Sequence, residues 1–253
     1  MATLAGGGEP SRTLALLWRG AEEVGARRGP ERSVTVDAVV QAAIALADAD
    51  GLAAVSMRAV AQRVGISAMS VYTYVPGKAE LLDLMVDALY LGMPRPPWRI
   101  RTWQRRLTRV AETNRALLAA HPWLTEVAVL SRPPLGPGVM AKYEHELAAL
   151  DGTGLDDVTT DAALSYVLGF VHGHARAAHD AARATTDSAM SDAQWWATNQ
   201  PLLARVLDAA AYPRAVRIGA AAGAAQGSSW RAEHAWRFGL ARTLDGLAAI
   251  IDG

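Results

Sequence analysis

Cysteine is absent from this chain of 253 residues, and lysine is scarce, since Lys78 and Lys142 are the only two. Without cysteine the chain has no disulfide framework, cysteine zinc site, iron–sulfur site or catalytic thiol. No apolar stretch reaches membrane-spanning length without a charge or a helix breaker. The apolar run Leu14–Trp18 is too short for the core of a signal peptide. We therefore expect a cytoplasmic protein without a membrane partner.

Net charge is also absent, because 25 basic residues balance 25 acidic ones. This balance excludes a histone-like polycation. It does not exclude a nucleic-acid-binding protein, because charge is segregated along the chain. Residues 92–142 carry a net charge of +7. That basic segment indicates either an anionic partner or a solvated helix with outward-facing arginines. A hydrophobic content of 51% is enough for a sizeable core.

Apolar residues recur at helical spacing through most of the chain, and no strand pattern competes with them. The stop and start signals predict about ten helices and an all-α fold. We expect the longest helix over Asp157–Ala184 and another over Met190–Ala210. A Gly/Ala-rich loop is expected to follow as far as Ser229, before the last helix at Trp230–Ile251.

The sharpest local pattern is a pair of short helices separated by Gly65-Ile66-Ser67. Glycine suits a left-handed residue in the turn of a helix-turn-helix unit. In the second predicted helix, Ala68–Val75, the spacing directs Val71 and Val75 toward a core. Its outward residues carry hydroxyl groups, as a helix that enters a DNA groove requires. The same pattern is also compatible with an ordinary helical hairpin that exposes tyrosines.

The segment Thr35–Leu84 resembles the DNA-binding domain of the tetracycline-repressor (TetR) family. The resemblance is carried by DADGL, SMRAVAQRVGIS, SVYTYV and PGKAELL, in the family's order and spacing. It implies a three-helix DNA-binding domain at residues 34–79 and a larger helical domain for ligand binding and dimerisation at residues 80–253. It also implies a homodimer that reads a palindromic operator in double-stranded DNA.

The resemblance assigns DNA contacts by position. Arg58 matches a base or phosphate contact of the second helix, and Lys78 matches a phosphate contact at the start of the fourth helix. The complete candidate set is Arg58, Ala68, Met69, Ser70, Tyr72, Thr73, Tyr74 and Lys78. Ala68 and Met69 are apolar, so they can contact thymine methyl groups but cannot donate bidentate hydrogen bonds to bases.

Residues 1–33 form an extension beyond the family's minimal start. Its arginines favour an arm that lies in the minor groove, but four glutamates nearly cancel their charge. A helix packed on the protein, or disorder, is the alternative. The arginines are Arg12, Arg19, Arg27, Arg28 and Arg32.

A weaker resemblance to the tetracycline-repressor ligand-binding domain covers the segments beginning WQRRLTRV and LSYVLGFV. It implies a pocket for a small inducer, and the local supply of aromatic residues indicates an apolar or aromatic one. The family's magnesium-tetracycline ligands fall on Val127 or Ala128 and near Gly173, which cannot chelate. A different ligand is therefore expected. The candidate ligand-binding residues, each of which is also compatible with core packing, are Trp103, Trp123, Tyr143, Tyr166, Phe170, His174 and Trp195.

The remaining features concern dimerisation, metals and catalysis. An apolar stripe on the last helix suggests a dimer interface or closure of the chain's own core: Trp236, Leu240, Leu244, Leu247 and Ile251. The three histidines His172, His174 and His179 have Arg176 among them, which would repel a cation, so neither a metal nor a cofactor is expected.

No catalytic pattern supports an α-helical enzyme. Two interpretations stay open. The first is a ligand-released repressor of an efflux or biosynthetic gene. The second is a helix-turn-helix regulator without an inducer.

Overall fold

All secondary structure in the described residues is helical. The structure, a computed structural model, describes residues 9–22, 34–128 and 130–253. Ten helices there have seven residues or more and no strand occurs among them, which confirms the all-α prediction. None of the described helices is both long and apolar enough to cross a membrane. The helices are α1 (Pro10–Leu17), α2 (Arg19–Glu22), α3 (Val36–Asp50), α4 (Met57–Val64), α5 (Ala68–Val71), α6 (Lys78–Leu91), α7 (Trp103–Ala120), α8 (Leu124–Val127), α9 (Pro137–Leu147), α10 (Asp157–Ser188), α11 (Asp192–Val206), α12 (Pro213–Gln226) and α13 (Ala232–Ile251).

Helices α3, α4 and α5 form the helix-turn-helix unit, and side-chain caps define where they begin. The Thr35 hydroxyl accepts a hydrogen bond from the Ala38 N–H at 3.1 Å, and Ser56 caps α4 in the same way. Gly65 ends α4 with a φ of 76°, a left-handed conformation that costs glycine little. The unit buries its own apolar core: Val39, Val40, Ala43, Ile44, Val55, Val60, Ala61, Val71 and Val75.

Helix α5, which the resemblance identifies as the DNA-recognition helix, is shorter than predicted. It is α-helical over Ala68–Val71 only, and turns follow as far as Tyr74. The Thr73 and Tyr74 N–H groups bond to carbonyls three residues back, at 3.1 and 3.0 Å. This tighter winding is typical of helix ends. Val71 and Val75 are nevertheless both buried, as their spacing predicted.

Helix α6 connects the helix-turn-helix unit with the C-terminal helices. It contacts α3 and α1, and also α9 on the C-terminal side. Residues 81–87 are buried without exception, as expected for a helix enclosed on several sides. The Asp87 carboxylate accepts the Val139 N–H at 2.9 Å in the first turn of α9. The domain limit at residues 79/80 stays a prediction. Helix α6 contacts helices on both sides of that limit.

The C-terminal core lies between α7, α9, α10 and α13. The predicted stripe on α13 closes this core, because Trp236, Leu240 and Leu247 are buried within the chain. Leu244 and Ile251 pack against the same core. The interpretation of this stripe as a dimer interface was therefore wrong for its three buried members.

Residues after α11 form a helix where a Gly/Ala-rich loop was predicted. Helix α12 begins with Pro213 in its first turn. Its sequence is rich in alanine, the residue type with the highest helix propensity. Gly223 lies against the Trp196 indole, so α12 packs on α11. Gly223 is the only residue of the two helices that is buried.

The N-terminal extension is described for residues 9–22 only. There α1 packs against α6, and Leu17 is buried. The Trp18 indole N–H donates to the Leu135 carbonyl at 2.8 Å, and Arg19 forms an ion pair with Asp37 of α3. These contacts favour the packed helix over a minor-groove arm for this part. The remaining predicted arm arginines, Arg27, Arg28 and Arg32, lie outside the described residues.

Candidate DNA-binding surface and ligand cavity

The recognition helix presents an open outer face. Met69 is 78% exposed and Tyr72 is 47% exposed, whereas the opposite face of the helix is buried. The Ser67 and Ser70 hydroxyls bond to each other at 2.8 Å, and Thr73 donates its hydroxyl proton to the Ser70 carbonyl. The polar groups of the helix are thus oriented by local bonds, which leaves Met69 and Tyr72 as the projecting contacts.

Two candidate DNA-contacting basic residues lie on the helices before and after α5. Arg58 is exposed near the start of α4, and Lys78 is the first residue of α6. The N-cap of α6 is Gly77, which offers no side-chain cap. Uncapped N–H groups and the helix dipole both attract phosphate, so Lys78 is well placed for a phosphate contact. Tyr74 is half-buried against the core and offers less of its ring than Tyr72 does.

A cavity of about 350 Å³ opens between α6, α9 and α10 and the segment that precedes α9. This volume lies at the low end of typical small-molecule sites. Its apolar walls include Val86, Leu130, Pro134, Val139, Leu164 and Leu168. Its polar groups come from Tyr90, Lys142, Tyr143, Glu146, Asp161 and Ser165.

A buried ion pair forms the polar floor of the cavity. Lys142 is 8% exposed and Glu146 is 3% exposed, and their Nζ and Oε2 atoms are 2.6 Å apart. The other oxygen of Glu146 accepts a hydrogen bond from Asn114 at 2.6 Å. The Lys142 ammonium also lies 5.2 Å from the centre of the Tyr90 ring. Burial raises the pKa of Tyr90, with a further contribution from Glu146, so its phenol stays protonated.

The structure does not bring the seven predicted ligand-binding residues together. Only Tyr143 lines the cavity, where its hydroxyl donates to Asp161 at 2.7 Å. Trp103 and Trp123 are buried. Their indole N–H groups donate hydrogen bonds to the carboxylates of Asp252 and Asp48, respectively. The other four residues lie outside the cavity lining: Tyr166, Phe170, His174 and Trp195.

Those four residues divide into two groups. Phe170 and His174 pack with Trp236 between α10 and α13, with ring centroids 5.3 and 5.1 Å from that indole. They are therefore part of the core. Tyr166 and Trp195 are exposed on α10 and α11. Helical spacing correctly placed Phe170 and His174 together, but it could not show which face adjoins a cavity.

The histidines of α10 are not grouped with further potential metal ligands. No group of three or more potential metal-binding side chains occurs in the part of the chain that the structure describes. Burial, together with the nearby Lys142 and Arg176, lowers the pKa of His172 to about 4. His172 is therefore neutral at physiological pH. The His174 ring nitrogen Nε2 bonds to the Ala232 carbonyl at 2.8 Å.

A helix-turn-helix unit joined by one helix to a larger helical domain defines the class of protein as a DNA-binding transcriptional regulator. Residues 39–85 match the family described as "Bacterial regulatory proteins, tetR family". Residues 96–251 match "Tetracyclin repressor-like, C-terminal domain". The chain belongs to the tetracycline-repressor family.

Individual relatives agree with this assignment. The chain is 37% identical over 250 residues to the HTH-type transcriptional repressor DrrR1 of Streptomyces coeruleorubidus. The aligned region covers 98% of this chain and 88% of that protein. It is also similar to apo ActR of Streptomyces coelicolor, with a TM-score of 0.70 and 26% identity over 87% of this chain and 97% of ActR. ActR in complex with actinorhodin gives a TM-score of 0.71 at 26% identity, over 88% of this chain and 98% of that one.

Proposed function

We propose that this chain is a homodimeric repressor that binds a palindromic operator and releases it when a small apolar or aromatic molecule fills the cavity. One observation carries the proposal. Helix α6 begins at Lys78, four residues after Tyr74 at the end of the recognition segment, and has Val86 and Tyr90 in the cavity wall further along. A ligand that shifts α6 would change the spacing of the two recognition helices, which lowers affinity for the operator.

The direct test is a gel shift of the purified protein on the promoter DNA beside its own gene, across a salt series. A specific complex that weakens steeply with salt is expected, because phosphate contacts release counterions. A folded protein that binds this DNA no better than a scrambled duplex would contradict binding at that promoter. The genes proposed as targets are those that export or make the ligand.

The second candidate is a helix-turn-helix regulator without an inducer. The cavity of about 350 Å³ favours the ligand-responsive alternative, since a domain without a ligand has no need of such a space. The repressor name of DrrR1 and the ligand complex of ActR also support it. A screen for compounds that dissociate the protein–DNA complex in the gel shift distinguishes the two candidates, because only the first is released by a small molecule.

Lys78→Ala is expected to weaken binding to all DNA sequences alike, because a phosphate contact carries no sequence information. The slope of log affinity against log salt should fall by about one unit for each subunit. Fluorescence anisotropy across a salt series measures this slope. Arg214→Ala, which removes an exposed cation of α12, should leave the slope unchanged. A loss confined to one base change would contradict the phosphate role.

Dimerisation is proposed through the outward faces of α10 and α13, which pack side by side. Tyr166, Phe238 and Ile250 are large apolar side chains exposed on these two helices. Phe238→Asp is expected to yield monomers in sedimentation velocity, because a charge would be buried in the interface. Leu14→Asp, on the exposed side of α1, is the control. A dimer that persists in Phe238→Asp would place the interface elsewhere.

A further inference from the structure

The cavity that the proposed function assigns to the ligand is lined by more negative than positive side chains. Three ionisable carboxylate and ammonium groups line it: Lys142, Glu146 and Asp161. Lys142 and Glu146 form a contact ion pair, so their charges cancel within the floor. Asp161 is then left as the uncompensated charge of the lining.

Asp161 lies exposed on α10, where a ligand in the cavity can reach it. Its hydrogen-bond partner is the neutral Tyr143 hydroxyl, and this bond raises the pKa of Tyr143. Within residues 9–22, 34–128 and 130–253, no cationic side chain forms an ion pair with Asp161. The neighbouring arginines Arg95 and Arg109 line a separate cleft of about 50 Å³ beyond Lys142.

The floor favours neutral oxygen atoms over carboxylates. Lys142 has three N–H donors, of which one is used by Glu146, so a ligand carbonyl or hydroxyl is readily bonded. The Tyr90 hydroxyl has no hydrogen-bond partner among the described residues, and it offers a second neutral contact. A ligand carboxylate would instead lose its hydration without gaining a free cation, because Glu146 already neutralises Lys142.

We infer that this cavity selects its ligand by charge: it takes an apolar molecule with a neutral oxygen edge at Lys142 and Tyr90 and an amine that reaches Asp161, and it discriminates against carboxylates. This inference rests on the proposed function only in taking the cavity as the ligand site. Glu146 and Asp161 are the specificity-determining residues. Glu146 acts by neutralising Lys142, and Asp161 acts by attracting the cation directly.

Three probes with one ring system test this selectivity: 2-(aminomethyl)anthraquinone, 2-(hydroxymethyl)anthraquinone and anthraquinone-2-carboxylate. Binding to the full-length protein is measured by calorimetry in the absence of DNA. The expected order of affinity is amine, then hydroxymethyl, then carboxylate. The advantage of the amine over the neutral probe should be about two- to fivefold, as for other solvent-accessible ion pairs.

Asp161→Asn should remove the advantage of the amine and leave the affinity for the neutral probe unchanged. Asp157→Asn, an exposed carboxylate one turn earlier on α10 and outside the cavity, is the matched control. An amine advantage that survives in Asp161→Asn would overturn the role of Asp161. Since Asp161 is exposed, this variant is expected to fold.

Glu146→Gln should free the charge of Lys142 and increase carboxylate affinity about tenfold, so that this probe binds more tightly than the neutral one. Glu144→Gln, an exposed residue of the same helix, should not. A carboxylate that binds the wild-type protein as tightly as the amine overturns the inference. Failure of all three probes to bind overturns it as well, while the gel shift, which uses no ligand, tests the proposed DNA binding separately.

Discussion

Tyr72→Ala is expected to abolish operator binding at protein concentrations that fully shift the DNA with the wild-type repressor. The Tyr72 ring projects from the recognition helix and makes no hydrogen bond to a described residue. A hydrogen bond from the tyrosine hydroxyl to a charged phosphate group is typically worth about 1.5–3 kcal/mol. The proposed homodimer would lose two such contacts, which corresponds to a loss of affinity of roughly 10²-fold to 10⁴-fold.

The measurement is fluorescence anisotropy on the promoter duplex, together with thermal unfolding of each variant. Tyr212→Ala removes another exposed tyrosine, between α11 and α12, and should leave operator affinity intact. Both variants should unfold at the wild-type temperature, because neither side chain belongs to the core. Wild-type affinity in Tyr72→Ala would refute the assignment of this face as the DNA-binding surface.

The helix-turn-helix unit was predictable because its signals are local. Thr35, Ser56 and Ser67 cap helices within three residues of their own position, and Gly65 supplies its own turn conformation. The length of the recognition helix was harder to predict. It depends on how strongly Thr73 and the neighbouring valines resist regular helical winding, and a balance of small propensities decides that.

The cavity was not predictable from the same kind of signal. Its walls come from α6, α9 and α10, and helical spacing shows which residues share a face without showing which faces meet. Lys142 and Glu146 are four residues apart, a spacing that is equally typical of an exposed pair on a helix surface. Only their burial reveals the difference. One signal was available in the sequence, since Lys142 is one of only two lysines in a chain that otherwise uses arginine.

The same limit applies to the predicted aromatic residues. Trp103 and Trp123 are far from Asp252 and Asp48 in sequence, yet their indole N–H groups bond to these carboxylates. These bonds explain why both indoles lie in the core rather than in the cavity, because a buried indole needs an acceptor. The choice of acceptor depends on tertiary packing, which the sequence alone did not reveal.

Gly138→Ala is expected to destabilise the protein by about 3 kcal/mol or more, since a new side chain would overpack a contact between two backbones. A Cβ at Gly138 would overlap the Asp87 carbonyl oxygen and lie 2.7 Å from the Leu91 nitrogen. Neither backbone atom can move aside as a flexible side chain would. Helix α9 must therefore retreat from α6, which also lengthens the hydrogen bond from Val139 to the buried Asp87 carboxylate.

Thermal unfolding should show a midpoint lower by about 5–10 °C for a chain of this length. Gly219→Ala is the matched control, because Gly219 lies within α12 with open space around its Cα. Alanine is the better helix former, so this control should be neutral or slightly stabilising. Equal unfolding midpoints for the two variants would show that α9 does not pack closely on α6. In that case Asp87 and Val139 would not hold the cavity wall against the helix that leads to the recognition surface.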